Sequence, residues 1–175
     1  MRETQIFQTV AKKGDPKERE VLGPIFCDVN PWLGNGYYFW DCILSNAEWW
    51  GRTHYKNSYM IYSSSYDAHS EELFDLVGNS EHIECLCEFA SELRKQLHCK
   101  SLRVSFVLEM MKKEGLFPYS AIKAEGRSVA GTQRHCLFFD EKGMYYLQPV
   151  PKFQLCIIDF DSFHISDYKF LKASE

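Results

Sequence analysis

The sequence predicts an α+β fold, and three observations carry that expectation. Ser80–Leu97 places Ile83, Leu86, Ala90, Leu93 and Leu97 at steps of 3, 4, 3 and 4, an apolar stripe down one face of a helix. Asn57–Tyr66, NSYMIYSSSY, alternates as a strand does, and Phe153–Asp159, FQLCIID, reads as a buried strand. His135–Phe139 and Met144–Gln148 flank Asp140-Glu141-Lys142-Gly143, the pattern of a β-hairpin with glycine where positive φ is wanted.

With 175 residues the chain reads as one domain, 1–175. A chain of that size buries roughly 70% of its unfolded surface, so it holds a substantial core. Its 20 Lys+Arg against 24 Asp+Glu give a net charge of −4 and no basic patch, so nucleic acid is not the expected partner. The apolar runs are too short to span a membrane, and the first twenty residues lack a signal-peptide core. A cytoplasmic protein is expected. Seven cysteines without a CxxC agree with that, as reduced, buried thiols acting as small hydrophobes. Cys85 and Cys87 would point about 200° apart on a helix, which does not suit tetrahedral zinc. No local signature marks a nucleophilic cysteine.

In chain order, Gln5–Val10 reads as the first strand, and Ala11–Glu20, with Gly14 and Pro16, as a loop or short exposed helix. Val21–Phe26 is a short apolar piece, and Asn30-Pro31 marks a turn. Gly34 and Gly36 then open a bend into Tyr37-Tyr38-Phe39-Trp40, a short aromatic strand. Asp41 and Ser45 break that strand and offer a cap to a helix from about Asn46, carrying Trp49 and Trp50. Leu73–Val77 is a further short strand. Ser80 caps the long helix, and Leu102–Lys113 forms another with Val104, Val107, Leu108 and Met111 inward and Gly115 just past its end. Tyr119–Ala124 reads as a strand, Ala124–Gln133 as a loop, and Ser162–Lys172 ends the chain with Phe163, Tyr168 and Phe170.

The glycine bend, aromatic strand and Trp-bearing helix admit two readings: a corner packed with large side chains, or a grip on a flat ring with the bend's backbone near a phosphate or ribose. GNGYYFW resembles the GxGxYF segment of the ADP-ribosyltransferase fold, shared by diphtheria-type toxins and poly(ADP-ribose) polymerases. That resemblance implies a split β-sheet core with two or three packed helices, with NAD as substrate and a protein target. It places Tyr38 against the nicotinamide, with Gly34, Gly36, Tyr37 and Trp50 around the dinucleotide. Ile6-Phe7-Gln8-Thr9 is similar to the first-strand YHGT segment, with Gln8 where the family has histidine. Gln154, opening Gln-Leu-Cys-Ile, stands near the place of the catalytic glutamate. Ser63-Ser64-Ser65 is superficially similar to the serine-threonine-serine segment of arginine-class transferases.

Transfer of ADP-ribose breaks the bond from nicotinamide to ribose through an oxocarbenium-like transition state, so a site must hold the ring, fix the ribose and stabilise positive charge. A stacked aromatic supplies about 1–3 kcal/mol of the first. With Gln8 and Gln154 in place of histidine and glutamate, either another acid (Glu125, Glu141 or Asp159) acts, or the fold binds a nucleotide or protein without turning it over.

Overall fold

Among the described residues ten strands and four helices follow one another as β1 (Glu3–Ala11), α1 (Pro16–Leu22), β2 (Phe26–Cys27), β3 (Gly36–Asp41), α2 (Leu44–His54), β4 (Tyr59–Asp67), β5 (Leu73–Asp75), α3 (Ser80–Gln96), α4 (Val104–Lys113), β6 (Ala121–Glu125), β7 (Leu137–Phe138), β8 (Tyr146–Leu147), β9 (Phe153–Ile157) and β10 (Lys169–Ala173). This computed structural model describes residues 3–126, 137–138, 146–147 and 150–174. The fold is α+β: a mixed sheet in the order β10-β4-β1-β3-β9-β6-β5, with β2 added on β3 and helices packed on the sheet. All of its pairings are antiparallel except that of β5 with β6. β7 and β8 pair separately, through Leu137 with Leu147 and Phe138 with Tyr146. The loop expected at 124–133 and the hairpin turn with Glu141 lie almost entirely outside the described residues.

Alternation along the strands sorts the core into layers. On β4, Met60, Tyr62 and Tyr66 join Ile6, Phe39, Leu155 and Phe163 on one face. Tyr59 and Ile61 point the other way, to Phe7, Trp40 and the underside of α2. α2 comes close to the sheet because residue 51 is glycine: a Cβ there would lie 2.3 Å from the Tyr59 ring. Thr9 Oγ1 ties the same helix down by donating to the Ala47 carbonyl at 2.8 Å. Beside α2, α3 and α4 cover Phe74, Ile122, Ala124 and Cys156.

Several local expectations need correcting. Asn79, not Ser80, caps α3, its Oδ1 accepting from the Glu81 and His82 amides. Of the α3 stripe only Leu93 is buried; Ile83 and Leu97 are exposed, because α3 lies at the margin of the core. α4 matches better: Val107, Leu108 and Met111 are buried, and Gly115, at φ 71°, ends it. There the Gly115 amide donates to Lys112 and that of Leu116 to Met111, the paired bonds of a Schellman turn. The short apolar piece expected at Val21–Phe26 is divided: Val21 and Leu22 are exposed at the end of α1, and Phe26 begins β2. The cysteines are not generally buried: Cys42, Cys85 and Cys87 are exposed, Cys27 and Cys99 half-buried, and only Cys156 is buried among those described.

Asp41 was expected to break the strand, yet it is the last residue of β3 and has no exposed surface. Its Oδ2 lies 2.8 Å from Lys123 Nζ, and its Oδ1 accepts from Tyr66 at 3.1 Å. Burial keeps the Tyr66 phenol far above its usual pKa, with the Asp41 charge adding to the effect, so Tyr66 donates at all physiological pH. α2 accordingly starts at Leu44 behind Ile43, without a side-chain cap.

Removing one partner of a buried pair leaves the other charge uncompensated. Asp41→Asn is therefore expected to lower the unfolding free energy by about 3–5 kcal/mol in urea titration. Glu109→Gln, which breaks the exposed Lys113–Glu109 pair (2.9 Å), is expected to cost under about 1 kcal/mol.

Candidate functional site

β1 and β3 pair over only two residues, Ile6 with Asp41 and Phe7 with Trp40. Beyond them the strands part, and β2 takes over the edge of β3, with Phe26 opposite Tyr37 and Cys27 opposite Gly36. Gln8 sits at the fork, 5% exposed. Its Nε2 donates to the carbonyls of Ile25 (3.0 Å) and Tyr38 (3.3 Å). Its Oε1 accepts from the Ile25 amide (2.8 Å) and the Tyr168 hydroxyl (2.9 Å). All four hydrogen-bonding positions of the amide are thereby filled by the protein.

A cavity of about 420 Å³ opens at this fork. Its walls bring together Gln8, Tyr38, Trp50 and Gln154, together with Trp32 and Trp40. The register explains part of this: Trp40 lies opposite Gln154 and Tyr38 opposite Cys156, so these side chains share one face of adjacent strands. Gln8, next to the Phe7 that stands opposite Trp40, comes from the other face and reaches the cavity where the strands part. Trp50 comes from α2, packed 6.0 Å from Trp40 and stacked on His54 at 4.5 Å and 11°. The described lining residues include no Lys or Arg, and Asp28 is their one carboxylate.

Tyr38 is half-buried, and its hydroxyl is fixed to the glycine bend. It accepts from the Leu33 amide at 3.0 Å and donates to the Gly34 carbonyl at 2.8 Å. Burial, with Cys156 as the next cause, holds the phenol well above its ordinary pKa. Tyr38 therefore offers a neutral ring rather than an acid or base. Gln154 Oε1 accepts from Trp32 Nε1 at 2.6 Å, which anchors both on the cavity wall.

The other expected site residues lie elsewhere. Gly34, at φ 99°, belongs to the bend and lines a neighbouring groove rather than the cavity. Gly36 is buried against β9, where a Cβ would meet the Ile157 carbonyl oxygen at 2.5 Å, so its glycine serves strand packing. Tyr37 faces the opposite side of the sheet, 4.8 Å from the Phe160 ring. Ser64 and Ser65 hydrogen-bond Ser166 in a separate polar hollow. Glu125 stands opposite Phe153 in the register, on the face away from Gln154. Asp159 is bonded to Ser162 Oγ and the Asp161 amide, which hold its pKa below the usual carboxylate range. Trp32 and Asp28 escaped sequence reasoning; only their closeness to the Asn30-Pro31 turn hinted at the cavity.

The thiol reading also has a definite geometry. Cys156 is buried, and that burial pushes its pKa up to about 12. Among the described residues no three His, Cys, Asp or Glu side chains group as metal ligands. No helix of the described residues is long and apolar enough to cross a membrane.

Two outcomes follow from this geometry. Gln8→Leu leaves the Ile25 amide and Tyr168 hydroxyl without their acceptor, and is expected to cost about 2–4 kcal/mol in urea unfolding. At pH 8 a maleimide reagent is expected to label Cys85 and Cys87 in the native protein, and Cys156 only after denaturation, as peptide mapping will show. Comparisons of the chain with protein-family models, curated proteins and solved structures give no match, so the functional reading rests on the cavity itself.

Proposed function

We propose that the chain is an ADP-ribosyltransferase-like protein that binds NAD in the cavity at the sheet fork, with the nicotinamide ring against Tyr38. One observation carries this reading: Gln8, Tyr38, Trp50 and Gln154, distant in sequence, line one cavity where β1 and β3 part. A volume of about 420 Å³ lies within the ordinary range for small-molecule sites. The aromatic walls suit a flat ring, and an N-substituted pyridinium also gains from cation–π contact with them. In the enzymatic form of the proposal a cytoplasmic protein receives the ADP-ribose. The free thiols of Cys27, Cys85, Cys87, Cys99 and Cys156 are in keeping with a reducing compartment.

A second reading, a module that binds a nucleotide or protein without turnover, is favoured by a specific observation. The Gln8 amide is fully engaged, and the Gln154 carbonyl is held by Trp32. Neither amide brings the negative charge that a developing oxocarbenium ion requires.

NAD is expected to quench the fluorescence of Trp32, Trp40 and Trp50. Tyr38→Ala is expected to weaken binding about tenfold, equivalent to about 1.4 kcal/mol of lost stacking. Tyr38→Phe, which keeps the ring, is expected to stay within a few-fold of the parent. Released nicotinamide in a labelled-NAD assay marks the enzyme, and quenching without release marks the module. Absence of any response to millimolar NAD defeats the NAD proposal in both forms.

A further inference from the structure

A second cavity, of about 600 Å³, adjoins the first, and the two share the wall formed by Phe26, Asp28, Asn30 and Pro31. It is a groove between the Gly34–Asn35 bend and the face of α4 that carries Ser105, Leu108, Glu109 and Lys112, with Arg103 at its end. Those α4 positions fall at i, i+3, i+4 and i+7, one continuous stripe, so the groove runs along the helix for about 10 Å.

Charge divides between the two cavities. The described lining of the aromatic cavity has no Lys or Arg, whereas the groove has both Arg103 and Lys112. Arg103 is exposed at the N-cap of α4, where the helix dipole disfavours a cation, and no described carboxylate pairs with it. The groove also has two acids. Glu109 is held by Lys113 at 2.9 Å, and Asp28 stands on the shared wall. The chambers are mechanically joined, since the Tyr38 hydroxyl bonds the backbone of Leu33 and Gly34, which line the groove. Nothing lies within 4 Å of the position a Cβ would take on Gly34, so the space beside that backbone is open.

We propose that this groove is a phosphate subsite, with Arg103 and Lys112 as the cationic partners of a nucleotide whose ring occupies the aromatic cavity. The identity of that ring rests on the NAD reading; the anion site does not. A flat ring and a phosphate have opposite needs, one an apolar aromatic chamber and the other an open surface with cations within reach. The adjoining chambers meet these needs separately, on either side of the 26–31 segment.

The test measures binding of NAD, ADP and inorganic pyrophosphate to the full chain by calorimetry, and of nicotinamide by tryptophan quenching. The variant is Arg103→Gln/Lys112→Gln; both side chains are exposed, and an unchanged melting temperature verifies its fold. ADP and pyrophosphate are expected to bind the parent, and both they and NAD to bind the variant about tenfold or more weakly. Nicotinamide quenching is expected to be unaltered. Glu109→Gln is expected to bind ADP as well as the parent or better, because it removes a like charge. Equal NAD affinity in parent and variant overturns the subsite, as does the failure of ADP and pyrophosphate to bind at millimolar concentration. The two proposals fail separately. ADP binding lost in the variant with no response to NAD or nicotinamide at the tryptophans retains the groove and removes the nicotinamide reading. NAD quenching sensitive to Tyr38→Ala but not to the double substitution does the reverse.

Discussion

The Gln8 side chain holds the fork in the sheet, and the site depends on that fork. An antiparallel pair normally runs on until a turn ends it, because each backbone amide and carbonyl needs a partner. Here β1 leaves β3 after Phe7, and one primary amide stands in for the missing peptide units. It exchanges both hydrogen bonds with Ile25, as a paired strand residue does, and reaches the Tyr38 carbonyl and Tyr168 hydroxyl besides. The sheet thereby opens with the Ile25 amide and the Ile25 and Tyr38 carbonyls still paired, and the aromatic cavity lies at the opening.

A second buried polar group works on the same face of the sheet, since Ile6, two residues before Gln8 on β1, stands opposite Asp41. Asp41 ends the short β1–β3 pairing, and its contacts with Lys123 and Tyr66 link β3 to β6 and β4 across the sheet. Gln8 thus secures the place where the strands part and Asp41 the place where they meet. Among the described residues the cavity lining has Asp28 as its one carboxylate and no Lys or Arg, so aromatic rings and backbone groups dominate it. The cations Arg103 and Lys112 line the α4 groove instead, beyond the glycine bend. The bend bridges the two, because its backbone holds the Tyr38 hydroxyl on one side and faces the groove on the other.

Local rules made part of this legible. Apolar spacing places α3 and α4, alternation separates Met60 and Tyr62 from Tyr59 and Ile61, and the positive φ of Gly34 and Gly115 follows from their positions at a bend and a helix end. Tyr38, Gln8 and Gln154 could be named from three short segments, and all three line the cavity. Features fixed by tertiary partners were hidden. Asp41 looks like a strand breaker until Lys123, eighty-two positions later, supplies its counter-charge. The α3 stripe looks like core, but periodicity reveals which face is apolar and not how deeply it is covered. Gly36 resembles a ligand glycine, yet β9 is what presses against it. Trp32 gains its meaning only when Gln154 arrives from the far end of the chain.

The two glutamines bear on what such a cavity can do. Catalysis requires interactions that grow stronger in the transition state than in the ground state. A carboxylate beside a developing cation does this, whereas an amide whose lone pairs are already directed at Ile25, Tyr168 or Trp32 has little left to redirect. Histidine at position 8 would offer at most two nitrogens to a fork that uses four hydrogen-bonding positions, so glutamine suits the fork better than histidine does. Changing Gln8 toward a catalytic residue would therefore loosen the sheet, while Gln154, whose one bond among the described residues comes from Trp32, is the more permissive position. If turnover occurs, the negative charge must come from a wall other than β1 or β9. Asp28 is the one described carboxylate on that cavity, and it stands on the wall shared with the groove, between the ring chamber and the proposed phosphate site.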